Sequence, residues 1–204
     1  MTVLSSSNLM NKANSRKTEI LDQAAHLFRE KGYAASTLRG IAKKCGVKGG
    51  SIYYHFSSKQ EILYQIMEQV MAELIYRVNE GIKTIVDPVE KIRMAVTIHI
   101  KYHVTNLDKT YVTDSEIRSL TVENYKRIIK QRRDYENIFQ KILEEGVQVG
   151  FMGNIDVKMT AFAILQMCTG VSYWFKEEEP LAVDEIINRY FDFICWGIRG
   201  STQQ

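Results

Sequence analysis

From Ser58 to Val78 apolar residues recur at every third or fourth position: Ile62, Leu63, Ile66, Met67, Val70, Met71, Leu74, Ile75 and Val78. A helical period held over that length, behind the capping pattern Ser58-x-x-Glu61, builds a long helix with one buried stripe. A strand would alternate instead, so the stretch excludes a sheet. Only two prolines, Pro88 and Pro180, interrupt the 204 residues, and both stand between periodic segments. Few breakers and long periods predict an all-α chain.

The other helices follow from the same signals. Ser15 caps a helix over about 16–31, with Ile20, Leu21, Ala24, Leu27 and Phe28 on one face and Gly32 ending it. Short helices are expected at about 37–44, behind Ser36, and at about 48–54. Asp87-Pro88 opens another, aspartate as cap and proline in the first turn, with Glu90 completing a box. A short helix at about 114–120 and a long one at about 122–148 come next. The last two, about 156–175 and 183–198, are separated by the acidic break EEEP at 177–180. Both are apolar on more than one face, which needs cover on both sides. Burial within one chain meets that need, and so does pairing with a second copy, a two-fold dimer being the commonest closed assembly.

Charge is distributed unevenly. The first sixty residues carry ten Lys/Arg against Glu19, Asp22 and Glu30, while the whole chain nets only +3. A basic head on a mildly acidic body points to a polyanion partner for the head alone. The first residues show no apolar core of a signal peptide, and no run of about 18 apolar residues is present, so no membrane span is expected. Cys45, Cys168 and Cys195 lie far apart without C-x-x-C spacing, which fits free thiols in a reducing cytoplasm. No cofactor is expected.

Residues 45–63, CGVKGGSIYYHFSSKQEIL, carry the strongest motif. Paired glycines beside lysine and serine suggest a phosphate loop, but no strand precedes Gly46 and no lysine follows the second glycine. A helix-turn-helix fits better: Ala42 is small where helices cross, Gly46 suits a left-handed turn, and Ile52 anchors the second helix against Leu38 and Ile41. Ser36, Thr37, Arg39, Lys43, Lys44, Lys48, Ser51, Tyr53 and His55 surround that frame. An ordinary helical hairpin with a solvated basic face is the alternative that this window alone leaves open.

The stretches ILDQAAHLFREKGYAASTLRGIAKKCGV and IYYHFSSKQEIL resemble the N-terminal domain of the TetR family of transcriptional regulators. The likeness runs from Arg16 to Leu63, roughly the first third of the chain. It departs from the family at Gly49, where a lysine is usual, and at Gly40, which is often acidic. The resemblance implies a three-helix DNA-binding domain with a helix-turn-helix, followed by a larger helical domain for ligand binding and dimerisation. Expected boundaries are a disordered arm to residue 15, a DNA-binding domain over 16–60, and an effector domain over 61–204. Ser36 and Thr37 would meet a phosphate at a helix N-terminus. Lys48, Gly49, Gly50 and Ser51 would open the recognition helix into the major groove. Tyr53, Tyr54, His55 and Lys59 would touch phosphates and sugars, with Tyr54 and Phe56 alternatively part of the core. Base specificity would rest on Arg39, Lys48, Ser51 and Tyr53. Lys12 would add a backbone contact from the arm.

In the larger domain, polar and aromatic residues interrupting apolar faces are the ligand candidates: His99, Tyr102, His103, Arg118, Tyr125, Arg132, Tyr135, Gln166 and Trp174. His99 and His103, one helical turn apart, have the spacing of metal ligands, although paired core histidines are the plainer reading. The segment RRDYENIFQKILEEGVQVGFMGNID is similar to TetR-type regulators of fatty-acid and acyl-CoA catabolism. That similarity implies an acyl-CoA or related apolar anion as effector, releasing a repressor dimer held through about 156–198 from a pseudo-palindromic operator. An efflux-type repressor sensing an aromatic or cationic drug is the other ligand reading. From different classes, an all-helical enzyme would have only His99, His103, Glu116 and the cysteines as players. A small-molecule carrier would leave the basic face without a purpose.

Overall fold

A computed structural model describes residues 3–176 and 182–198, with side chains from Ser15 onward. The described residues form helices α1 (Val3–Lys31), α2 (Leu38–Lys44), α3 (Gly49–His55), α4 (Lys59–Ile82), α5 (Pro88–Thr105), α6 (Leu107–Ser115), α7 (Val122–Gln148), α8 (Val157–Thr169), α9 (Val171–Trp174) and α10 (Val183–Ile198). A single 3-10 turn, Ile117–Ser119, precedes α7. No strand occurs among the described residues, in agreement with the all-α expectation.

Local chemistry explains most of the boundaries. Gly32 closes α1 at φ 80°. Thr37, rather than Ser36, caps α2, its hydroxyl accepting the Gly40 N–H at 3.0 Å. Ser58 accepts the Glu61 N–H at 3.1 Å, and Glu61 reaches back to the N–H of Ser57 at 2.6 Å, so the expected box forms one residue wide of its usual register. Asp87 caps α5 through the Val89 N–H at 2.9 Å. Glu90 faces Arg93 at 3.6 Å.

Three elements differ from the sequence reading. Helix α1 begins at Val3 rather than behind Ser15, so the stretch taken as a disordered arm is helical as far as it is described. Residues 3–15 contain neither glycine nor proline, and a helix nucleated on Ile20–Phe28 meets no breaker as it extends backwards. The segment expected at about 114–120 is the end of α6 plus the 3-10 turn. The helix expected at 156–175 divides at Gly170 into α8 and α9. The acidic break at 177–180 lies outside the described residues.

The chain packs as two compact units. One is built of residues up to Val70 together with Asp108–Arg127; the other comprises Met71–Leu107 and the chain from Ile128 onward. The first unit thus extends past residue 60 and recruits a segment distant in sequence. Its core holds Ile20, Leu21, Ala24, Phe28, Ile41, Ile52, Phe56, Ile62 and Leu63, all essentially inaccessible to solvent. In the second unit α5 packs against α8, α9 and α10, burying Ile92, Val96, Ile100, Phe139, Leu143, Ile164 and Phe191. All three cysteines are free and buried.

Ile52 is fully buried and lies on the short helix α3, which is too brief to persist alone. Replacing it with alanine is expected to cost ~2–5 kcal/mol of unfolding free energy, measurable as a lower denaturant midpoint. A change below ~1 kcal/mol would mean that α3 is held by something other than this side chain.

Candidate functional site

Between α2 and α3 the chain reverses in four residues. Cys45 returns its N–H to Ile41 at 2.9 Å, Gly46 takes φ 65°, and the Val47 N–H bonds the Ala42 carbonyl at 3.0 Å. A residue with a Cβ pays for that left-handed conformation, whereas glycine adopts it freely. Ile41 and Ala42 are buried on α2, as is Ile52 on α3. With those faces fixed inward, Thr37, Arg39, Lys43, Lys48, Gly49, Gly50, Ser51, Tyr53 and Tyr54 are all left facing solvent. Tyr53 is 63% exposed and Tyr54 is 85% exposed. Tyr54 is therefore no core residue, while Phe56 is. His55 is half-buried, its ring edge-on to Tyr54 at 5.1 Å.

Two predicted contact residues are engaged inside the protein. Ser36 is buried, and its hydroxyl donates to the Gly32 carbonyl at 2.8 Å, so it holds a turn and presents nothing outward. Lys59 donates to the carbonyls of Tyr33 and Ser36, both at 2.7 Å, and to that of Ala34 at 3.4 Å. Its ammonium also sits 4.2 Å from the Tyr33 ring centroid. With three donors on three carbonyls, Lys59 braces the loop before α2.

The paired glycines at the start of α3 have no structural cause. Neither has a positive φ, and a Cβ on either would meet nothing within 4 Å. Glycine in a helix costs roughly 0.5–1 kcal/mol relative to alanine. Two such residues, on an exposed face with uncompensated cations, leave room for something outside the chain to approach the backbone closely.

The second unit holds a different kind of site. His99 is fully buried on α5, with Nδ1 3.0 Å from the Tyr135 hydroxyl and Nε2 3.1 Å from the Thr169 hydroxyl. His103 donates from Nδ1 to the His99 carbonyl at 2.9 Å, and the two rings stack with centroids 4.0 Å apart. Stacking turns the ring faces, not the nitrogen lone pairs, towards each other, and both His99 nitrogens are engaged. The pair therefore cannot converge on one metal ion. Burial pushes His103 down to about 4, and burial together with His103 holds His99 well below the usual histidine range. Both imidazoles are neutral near pH 7. Burial likewise raises the Tyr135 phenol well above its usual value and Tyr102 to about 12, so the cluster carries no charge.

The remaining ligand candidates do not join it. Arg118 and Tyr125 are exposed and belong to the first unit; Gln166 and Trp174 are exposed on α8 and α9. Arg132 is half-buried. Polar residues within an apolar pattern occur at helix ends as well as in cavities, and spacing alone does not separate them. Sequence reasoning passed over Gln131, whose side-chain oxygen is buried with no hydrogen-bond partner. It lies one helical turn before Tyr135 on α7, and a buried orphan acceptor costs about 1–3 kcal/mol. A glutamine on a helix with many polar residues gives no sequence signal of that kind. Thr169, the second partner of His99, was also missed; it falls at the α8–α9 division. A separate open groove of about 610 Å³ runs along exposed faces of α7 and α8, lined by Arg133, Glu136, Asn137, Gln140, Lys158, Met159 and Phe162. It contains none of the nine candidates.

Residues 20–66 match the family model of bacterial regulatory proteins of the tetR family, and residues 86–198 match that of the tetracyclin repressor-like C-terminal domain. The chain belongs to the TetR family. It is similar to the fatty acid metabolism regulator protein of Bacillus subtilis, 28% identical over 93% of this chain and 98% of that one. It is also similar to the HTH-type transcriptional repressor KstR2 of Rhodococcus jostii, 27% identical over 91% of this chain and 92% of its relative. The crystal structure of the TetR family regulator PfmR from Thermus thermophilus superposes with a TM-score of 0.81 at 32% identity, covering 90% and 99% of the two chains. This TetR-family protein is accordingly a DNA-binding, ligand-responsive transcriptional regulator that acts as a dimer. Among its described residues no helix is long and apolar enough to cross a membrane.

Two measurements probe these sites. Gly50→Ala should raise stability by up to about 1 kcal/mol while weakening DNA binding; unchanged DNA affinity would leave the glycine pair unexplained. The histidines predict a pH effect. An unfolded imidazole protonates near pH 6.5 and the folded His103 only near 4, so the unfolded state binds more protons between those values. Stability should be fully present above pH 6.5 and fall as pH drops towards 4, by on the order of 3 kcal/mol for His103. A His103→Gln variant should show a shallower fall of melting temperature over that window, and an identical slope would contradict the neutral buried assignment.

Proposed function

We propose that this TetR-family regulator represses its target genes by gripping a pseudo-palindromic operator with two copies of the α2–α3 face, and that an acyl-CoA thioester releases it. The observation that carries the DNA side is the unforced glycine pair on an exposed cationic face: Gly49 and Gly50 let a duplex approach the start of α3. Lys48, Ser51, Tyr53 and Arg39 read bases from the major groove. Thr37 meets a phosphate at the start of α2, and Tyr54 and His55 position the domain on the backbone. Half-sites lie about one turn, ~34–36 Å, apart. Apolar side chains that the chain leaves uncovered on α8 and α10, namely Phe162, Phe193 and Trp196, supply the dimer surface.

The effector reading rests on the chemistry of the second unit and on the name of the Bacillus subtilis relative. His99, His103, Tyr135 and Thr169 form an uncharged cluster among aromatic and aliphatic neighbours, suited to an acyl chain and its thioester. The orphan oxygen of Gln131 suits an amide N–H of the kind a pantetheine arm carries. A ligand releases DNA only by as much as it prefers the conformation that cannot span both half-sites. The relatives described above are transcriptional regulators, and we read the protein as a cytoplasmic regulator without catalytic activity.

The test is fluorescence anisotropy on the DNA upstream of the protein's own reading frame. Palmitoyl-CoA should release the complex, and neither free coenzyme A nor palmitate should do so at the same concentration. Release by all three, or by none, would remove the thioester from the proposal.

A further inference from the structure

The first backbone donor beyond α1 that its own helix leaves unsatisfied belongs to Tyr33. Gly32 returns its N–H to Phe28 at 2.8 Å, but the Tyr33 N–H is taken at 3.0 Å by Oε1 of Glu116, 83 residues further along the chain. The second carboxylate oxygen of Glu116 accepts from the Ser119 hydroxyl at 2.7 Å. The Tyr33 carbonyl accepts from Lys59 at 2.7 Å. Gln60 donates to the Ser119 carbonyl and accepts the Thr121 N–H at 3.1 Å. Both backbone groups of one loop residue are thus clamped, one by the 3-10 turn and the other by the start of α4.

The place of this clamp gives it consequence. Residues 32–36 are the loop that ends on Thr37, the cap of α2, and α3 leans on α2 through Ile41 and Ile52. Whatever holds Tyr33 therefore sets where the exposed face of α2 and α3 begins. A charge-assisted acceptor on a backbone N–H is directional and about twice as strong as a neutral one, so it fixes a position as well as a contact. Glu116, which takes the Tyr33 N–H, comes from the segment between α5 and α7.

We propose that Glu116 is a positioning residue for operator binding, holding the Gly32–Ser36 loop through the Tyr33 N–H so that the α2–α3 face meets both half-sites in register. The inference rests on the reading of that face as the DNA contact. A face that does not bind DNA would show itself in the wild-type protein, before any variant is made.

The experiment uses a duplex that the wild-type dimer enriches from a random pool, beside a non-enriched duplex of the same length. Glu116→Ala should weaken binding to the enriched duplex by about tenfold, the scale of one lost hydrogen bond to a charged group. Binding to the non-enriched duplex should be unchanged, because no phosphate contact is lost. Glu116→Gln, whose amide oxygen still accepts the Tyr33 N–H, should recover the enriched duplex to within about threefold. Gln60→Ala leaves Glu116 in place, frees the 3-10 turn, and should act in the same direction should Glu116→Ala fold poorly. Equal weakening on both duplexes, or wild-type affinity for the enriched one in both Glu116→Ala and Gln60→Ala, would overturn the proposal.

Discussion

The left-handed turn at Gly46 is the constraint from which the exposed α2–α3 face follows. Once the backbone takes φ 65° there, the Val47 N–H falls onto the Ala42 carbonyl and α3 leaves at a fixed angle to α2. Ala42 has to be small and Ile52 has to be apolar for that crossing to close without a void. No freedom then remains in which side chains point outward. The cations and hydroxyls of α2 and the start of α3 are exposed because the opposite faces of both helices are already spent on the core. A recognition surface of this kind is a by-product of packing, and only its residue identities are open to variation.

The second unit solves an opposite problem. A polar group in its centre has to be satisfied by neighbours, since water does not reach it, and the cluster does this by setting the His99 imidazole between two hydroxyls and the His103 imidazole on the His99 backbone carbonyl. Neutral imidazole can donate at one nitrogen and accept at the other, while each hydroxyl serves either role, so the network closes without charge. Such a site discriminates by hydrogen-bond pattern and shape instead of by Coulomb attraction. Gln131 is the one acceptor among the described residues that this accounting leaves over.

The elements were legible where periodicity and caps coincided, as at Ser58, Asp87 and the full length of α7. They were not legible where the deciding interaction was distant in sequence or simply absent. Nothing before Ser15 forbade a helix, and propensity alone did not reveal that one continued. The α2–α3 turn was readable because its chemistry is local. Even so, the internal bonds of Ser36 and Lys59 were not, since their partners, loop carbonyls, leave no trace in a sequence pattern. Burial of the ligand candidates was not legible either. A polar residue on an apolar face reads alike whether it lies in a buried cluster, as His99 does, or in solvent, as Gln166 does. Glu116, weighed in the sequence only as a possible enzyme residue, was not visible as a partner of Tyr33 because that bond spans most of the unit.

Dimerisation gives these small interactions their leverage. When two recognition faces are joined, the second half-site binds at an effective concentration set by geometry, and overall affinity exceeds that of either face by a large factor. That factor disappears once the faces cannot engage together, although every individual contact remains intact. The exposed Phe193 and Trp196 on α10, at 70% and 83%, carry apolar area that a lone chain leaves in water and a second copy removes from it. Under the proposed two-copy grip, losing the operator requires no rupture of the individual contacts, only a change in the register in which two copies meet one duplex.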